Sequence, residues 1–237
     1  MEPREKQGKE MLNKAREWMV SGELGMITYW DDRRKSPPSP RLYCCLNTAH
    51  TFGKALFDYE RGMALEGSFK GPLATPPFTH PAKIIEILGP YVEIDKPTID
   101  LTQEIIRRYA PFAVKNSIGS NGETEGDVAQ KDSRLLHALS RRVHTGGARI
   151  AIAKFNIHPN TITELARVGK TKELEAFLRD EEAEKRALMR IRDKATTLEK
   201  GPEESARFYN ELLFPLTLRS EALYLEKAWK DIGKSLV

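Results

Sequence analysis

The sequence predicts a mainly α-helical protein, with a helical core, an extended N-terminal arm and irregular connections rich in proline and glycine. Two observations carry this. Apolar residues recur at i, i+3 and i+4 through most of the chain, and the segments that interrupt them hold proline and glycine rather than alternating strand residues. The chain has 237 residues, 40% of them apolar and 30% charged, which excludes both a wholly disordered protein and a membrane-embedded one. No run approaches the roughly 18 apolar residues a bilayer span needs, and the opening MEPREKQGKEMLNKAREWMV has no apolar signal core. The expectation is therefore a soluble protein that is not secreted.

In chain order, KEMLNKAREWMV places Met11, Leu12, Ala15, Trp18 and Met19 at helical spacing. LGMITYW has strand composition, and DDRRKSPPSP reads as an exposed linker, so residues 1–40 form an arm. RLYCCLNTAHTFGKALFDYERGMAL, with Leu42, Leu46, Phe52, Leu56 and Phe57, predicts a buried helix within a helical subdomain, 41–115. EGSFKGPLATPPFTHP is an irregular crossing segment. IDLTQEIIRRYAPFAVKN aligns Leu101, Ile105, Ile106, Tyr109, Phe112 and Ala113, with Pro111 expected to kink the helix. Residues 116–132 hold three glycines and almost no large apolar side chain, which predicts a surface loop. A basic helical core, 133–215, follows. Asn160 or Thr161 caps one helix in it, Gly169 ends that helix, and Thr171 opens a long one. Beyond Pro215, residues 216–237 form a C-terminal helix or arm.

The net charge of +4 is unevenly spread. Residues 131–172 carry nine basic and two acidic side chains, a local charge of +7. On a helical wheel Lys131, Arg134, Arg141 and Arg142 share a sector opposite Leu135, Leu136, Leu139 and Val143. Gly146 and Gly147 are expected to stop this helix and leave backbone N–H groups beside Arg149 that suit a phosphate.

No enzyme signature stands beside this basic segment. There is no phosphate-binding GxxxxGK[ST], no GxGxxG and no GxSxG. Cys44 and Cys45 are adjacent and read as buried thiols, and the five histidines lack metal-ligand spacing. Glu93, Asp95 and Asp100 are the one carboxylate group that suggests a metal-dependent phosphodiesterase. The expectation is a protein without catalysis, cofactor or metal. It would neutralise single-stranded RNA through Lys131, Arg134, Arg141, Arg142, Arg149 and Lys154, and self-associate into an oligomer or filament through its terminal arms. A second reading, from another class, has the basic helix docking on an acidic protein or an anionic membrane surface.

TIDLTQEIIRRYAPFAVKN resembles the core helix of coat proteins of flexible filamentous plant RNA viruses, in which a Thr-led helix carries Arg next to an aromatic-Ala-Pro turn. The Phe-Asp-Phe element found downstream in those proteins is absent here. The resemblance implies a helical core cradling single-stranded RNA, with Arg107 and Arg108 among the RNA-binding residues, the terminal arms joining neighbouring subunits, and a location in the cytoplasm or a virion.

Overall fold

The computed structural model describes residues 3–38, 50–70, 74–88, 98–119 and 122–234. Twelve α-helices account for about three quarters of them, and no strand occurs among the described residues. They are α1 (Pro3–Ser21), α2 (Glu23–Arg34), α3 (Thr51–Leu65), α4 (Pro81–Leu88), α5 (Thr102–Asn116), α6 (Glu125–Arg141), α7 (Gly147–Ile157), α8 (Pro159–Arg167), α9 (Thr171–Leu178), α10 (Glu181–Thr197), α11 (Pro202–Phe208) and α12 (Phe214–Lys234). Two π-helical turns, Arg142–Gly146 and Tyr209–Leu213, splice α6 to α7 and α11 to α12 without a break. The mainly α class holds.

The strand expected at LGMITYW is instead part of α2, because Met26, Ile27 and Trp30 return at helical spacing and all three are buried. Within residues 1–40, set apart as an arm by their composition, the described part forms α1 and α2. Gly8 of α1 lies against Asn156 and Ile157, while Trp18 and Met19 lie against Gly146, so α1 runs antiparallel along α7. A Cβ at Gly146 would sit 2.6 Å from the Met19 sulfur, and one at Gly147 2.5 Å from Ser220 Oγ. These two glycines do not end a helix. They let α1 and α12 pack close to the chain as it passes from α6 to α7.

Other expectations also shift. The long helix expected from Thr171 breaks at Arg179–Asp180, where the Asp180 side chain caps α10 by accepting from Ala183 N–H at 2.9 Å. Pro215 lies inside a helix that continues through it, one residue after Phe214 N–H bonds back to Tyr209 O across the π turn. Pro111 is likewise carried inside α5. Gly169, at φ +67°, closes α8 as expected. Cys44, Cys45, Leu42, Leu46, Glu93 and Asp95 lie outside the described residues. Asp100, just before α5, accepts from Thr102 N–H at 2.9 Å and Thr102 Oγ1 at 2.7 Å at the start of that helix.

The main core joins α2, α3, α5, α6 and the α11–α12 splice around Trp30, whose ring meets Phe112 at 5.1 Å and Phe208 at 5.2 Å. A second cluster, with Ile162, Leu174, Leu178, Ala222 and Leu225, lies beneath α7, α8, α9 and α12. At the heart of the first core Arg33 Nε donates to Asp132 Oδ1 at 2.5 Å with both side chains wholly buried. The Tyr109 hydroxyl donates to the same carboxylate, and Arg33 reaches Ser117 Oγ at 3.0 Å. Removing one partner strands a buried charge, which costs about 3–5 kcal/mol. Asp132→Ala is therefore expected to lower the melting temperature by roughly 10 °C, and a thermal melt by circular dichroism within about 2 °C of wild type would refute this role.

Candidate active site

A cavity of about 230 Å³ opens between α1, α7, α10, α12 and the two π turns. Its wall is mostly apolar, from Leu12, Val20, Ile150, Leu213 and Leu218, and into it converge Arg16, Arg142, Lys154, Asp180, Glu184, Thr217 and Glu221. A concave, mostly apolar wall with convergent polar groups is the usual form of a small-molecule site.

The π turns set this convergence. Arg142 and Lys154 are twelve positions apart, which on an uninterrupted α-helix places them about 120° around the axis from each other. The Arg142–Gly146 turn absorbs one residue, and the remaining eleven positions bring Lys154 to within about 20° of Arg142. Tyr209 and Glu221 are also twelve apart and are re-phased in the same way by Tyr209–Leu213, which aligns Tyr209, Thr217 and Glu221 on one face. The first turn is held by His144. Its Nε2 accepts from Leu101 N–H at 2.9 Å, so Nδ1 carries the proton and donates to Ser140 O at 2.9 Å. Burial pushes the His144 pKa down to about 4, against hydrogen bonding to Ser140, which favours the charged ring.

Arg142 is buried, at 5% exposure. Its Nη2 donates to Met19 O and its guanidinium lies 5.9 Å from the centre of the Tyr209 ring, while its Nε has no hydrogen-bond partner. Room for it comes from Gly22 at the α1–α2 junction, where a Cβ would sit 2.5 Å from Nη1. The Tyr209 hydroxyl is also buried and unpartnered. Deeper in, Lys154 Nζ donates to Glu221 Oε2 at 2.7 Å and to Leu178 O. Glu221 is buried, and desolvation pushes its carboxyl above the ordinary glutamate range, opposed by the Lys154 charge. At the mouth Arg16 Nη2 meets Asp180 Oδ2 at 2.8 Å, and Arg179 meets Glu184 at 3.0 Å. Glu23 and Arg190 also line the cavity, and Glu23 holds Arg190 at 2.7 Å and Lys194 at 2.8 Å.

Of the eight cations expected to face a polyanion, the structure brings together two, Arg142 and Lys154, and both point inward to this cavity. Lys131 is tied to Glu123 at 2.6 Å and Ser36 at 3.1 Å. Arg134 is exposed on α6. Arg141 and Arg149 lie over the Trp18 ring at 5.8 and 4.9 Å. Arg107 bonds back to Gln103 O at 3.3 Å and Arg108 to Glu104 at 2.7 Å, both on α5. Arg16, Asp180, Glu184, Tyr209, Thr217 and Glu221 were absent from the sequence expectation. The i, i+4 pairs Asp180/Glu184 and Thr217/Glu221 are the signal that was present for them. Among the described residues no group of three His, Cys, Asp or Glu side chains could hold a metal ion, and no helix is long and apolar enough to cross a membrane.

No family model matches the chain. It is 29% identical to the chorismate mutase of Pichia angusta over 150 residues, 56% of this chain and 53% of that protein. It is 30% identical to the chorismate mutase of Emericella nidulans over 141 residues, 54% and 52% of the two chains. The matched part spans about half the length of these curated relatives. Among solved structures, the Candida albicans chorismate mutase in complex with L-Trp aligns at a TM-score of 0.71 with 20% identity, covering 94% of each chain. The chloroplast chorismate mutase of Zea mays aligns at 0.72 with 20% identity over 92% of this chain and 95% of that one. AtCM1 with tyrosine bound in its allosteric site aligns at 0.74 with 19% identity, over 92% and 96%.

These likenesses overturn the viral coat reading, and with it the expectations of a non-enzymatic protein, single-stranded RNA, filament formation and a virion. The similar proteins are enzymes, and two of the similar structures hold an amino acid rather than a nucleic acid. The physical reason is that the local +7 is not one surface: its charges divide between a cavity, ion pairs and an aromatic ring. Docking of a basic helix on an acidic protein or a membrane fails for the same reason. Over more than nine tenths of its length, the chain has the all-helical fold of fungal and plant chorismate mutases.

Proposed function

We propose that the chain is a chorismate mutase, converting chorismate to prephenate. The observation that carries this is the cavity itself, with Arg142, Arg16 and Lys154 converging on a small, mostly apolar space beside a buried carboxyl group. Chorismate carries two carboxylates and an enolpyruvyl ether. In its rearrangement the ether C–O bond breaks as a new C–C bond forms within the same molecule, no proton is transferred, and negative charge builds on the ether oxygen in the transition state. Such a reaction needs anchors for two carboxylates, a shape that holds the side chain over the ring, and donors aimed at the ether oxygen.

Each requirement has residues in the cavity. Arg142, buried and with Nε free to donate, anchors one carboxylate, and Arg16 at the mouth anchors the second. Lys154 and Glu221 stand side by side and are placed to supply two donors to the ether oxygen, Glu221 when it carries a proton; burial raises its pKa and so favours that form, against the Lys154 charge. Leu12, Val20, Ile150 and Leu218 compress the substrate into its folded conformer.

The purified protein, incubated with chorismate, is expected to consume its diene absorbance and to yield prephenate, detected as phenylpyruvate after acid treatment. Loss of chorismate at the spontaneous rate would refute the proposal.

A further inference from the structure

The cations of the cavity are not equally available to an incoming anion. Lys154 is held by Glu221 and Arg190 by Glu23, and both of these acids are buried. Arg179 and Glu184 pair across a single helix start. The Arg16–Asp180 pair differs in position. It joins α1 to the elbow between α9 and α10, so it crosses the opening of the cavity, and both side chains are about two-fifths exposed. The two Asp180 oxygens have separate duties, Oδ1 accepting from Ala183 N–H to cap α10 and Oδ2 accepting from Arg16.

We propose that Asp180 is an internal counter-ion that competes with the ligand's carboxylate for Arg16, and thereby sets the affinity of the site for dianions. The proposal rests on the chorismate reading for the identity of the ligand, but its physics concerns any dianion. With the cavity empty, Asp180 neutralises Arg16 and holds it across the mouth. A bound ligand takes the guanidinium, and Asp180 is left facing a second negative charge at close range, which weakens binding. The carboxylate thus restrains the affinity that Arg16 would otherwise lend to the site.

Asp180→Asn separates the two duties. Its amide oxygen still caps α10, since Asn caps as well as Asp, while its N–H₂ cannot accept from Arg16. Asp180→Ser also caps but is too short to reach Arg16. At low ionic strength both variants are expected to bind dianions more tightly, with KM for chorismate falling about 3- to 10-fold and the advantage shrinking as salt is added. The same variants are titrated calorimetrically with sodium sulfate, a dianion that is not turned over. Tighter sulfate binding together with lower KM supports the proposal. Tighter sulfate binding in a protein that does not turn over chorismate supports the counter-ion role and refutes the chorismate reading. Sulfate affinity that is unchanged or weaker in both variants overturns the proposal whatever the activity, because it means that Asp180 positions Arg16 rather than competing for it.

Discussion

Arg142→Ala is expected to lower kcat/KM for chorismate by about 10²- to 10³-fold, the largest single loss in the protein. Truncating one partner of a desolvated charge pair costs roughly 2–5 kcal/mol, and Arg142 is the buried cation whose Nε is left free to donate. Arg142→Lys separates charge from geometry. It keeps the cation but loses the planar fork that meets a carboxylate with two parallel hydrogen bonds, so it is expected to recover only part of the loss. Steady-state kinetics on both variants, with a thermal melt to confirm folding, tests this. A folded Arg142→Ala protein with near wild-type kcat/KM would remove Arg142 from the site.

The second large effect is on pH dependence. If Glu221 donates to the ether oxygen, the active form is the protonated one. Burial raises its pKa and the Lys154 charge opposes the rise. The sign follows: activity is present below the Glu221 pKa and falls as pH rises through it. Glu221→Gln keeps a neutral donor at every pH, so its profile should lose this alkaline fall and exceed wild type at high pH. Glu221→Ala removes the donor and is expected to lose about 10²-fold at the pH where wild type is most active. A Glu221→Gln profile that tracks wild type across the whole range would show that the fall belongs to another group.

Much of the fold was legible in the sequence because apolar periodicity is a local signal. The faces of α5 and α6 follow it residue by residue, from Leu101, Ile105 and Tyr109 to Leu135, Leu136 and Leu139. The site was harder to see for two physical reasons. A helical wheel assumes one angular step per residue, and the π turns after Arg141 and Phe208 each insert one residue outside that rule. Arg142 was grouped with Arg134 and Arg141 on a solvent face, although it is buried and they are exposed. Motif searches look for nucleophiles, bases, metal ligands and phosphate loops, whereas a rearrangement within one molecule uses none of these and asks only for charges placed around a shape. Those charges come from α1, the α6–α7 splice, the α9–α10 elbow and α12, with no short spacing shared between them.

The splice between α6 and α7 also acts as an expansion joint. Deleting one residue inside Arg142–Gly146 would convert the wide turn to an ordinary one and leave everything downstream in its original phase. The same deletion one turn earlier or later would swing Lys154 by about 100°, out of reach of Glu221. Loss of one residue from this turn, with Arg142 and His144 kept, is therefore expected to preserve the phase of Lys154 where the same loss elsewhere along the α6–α7 rod would not.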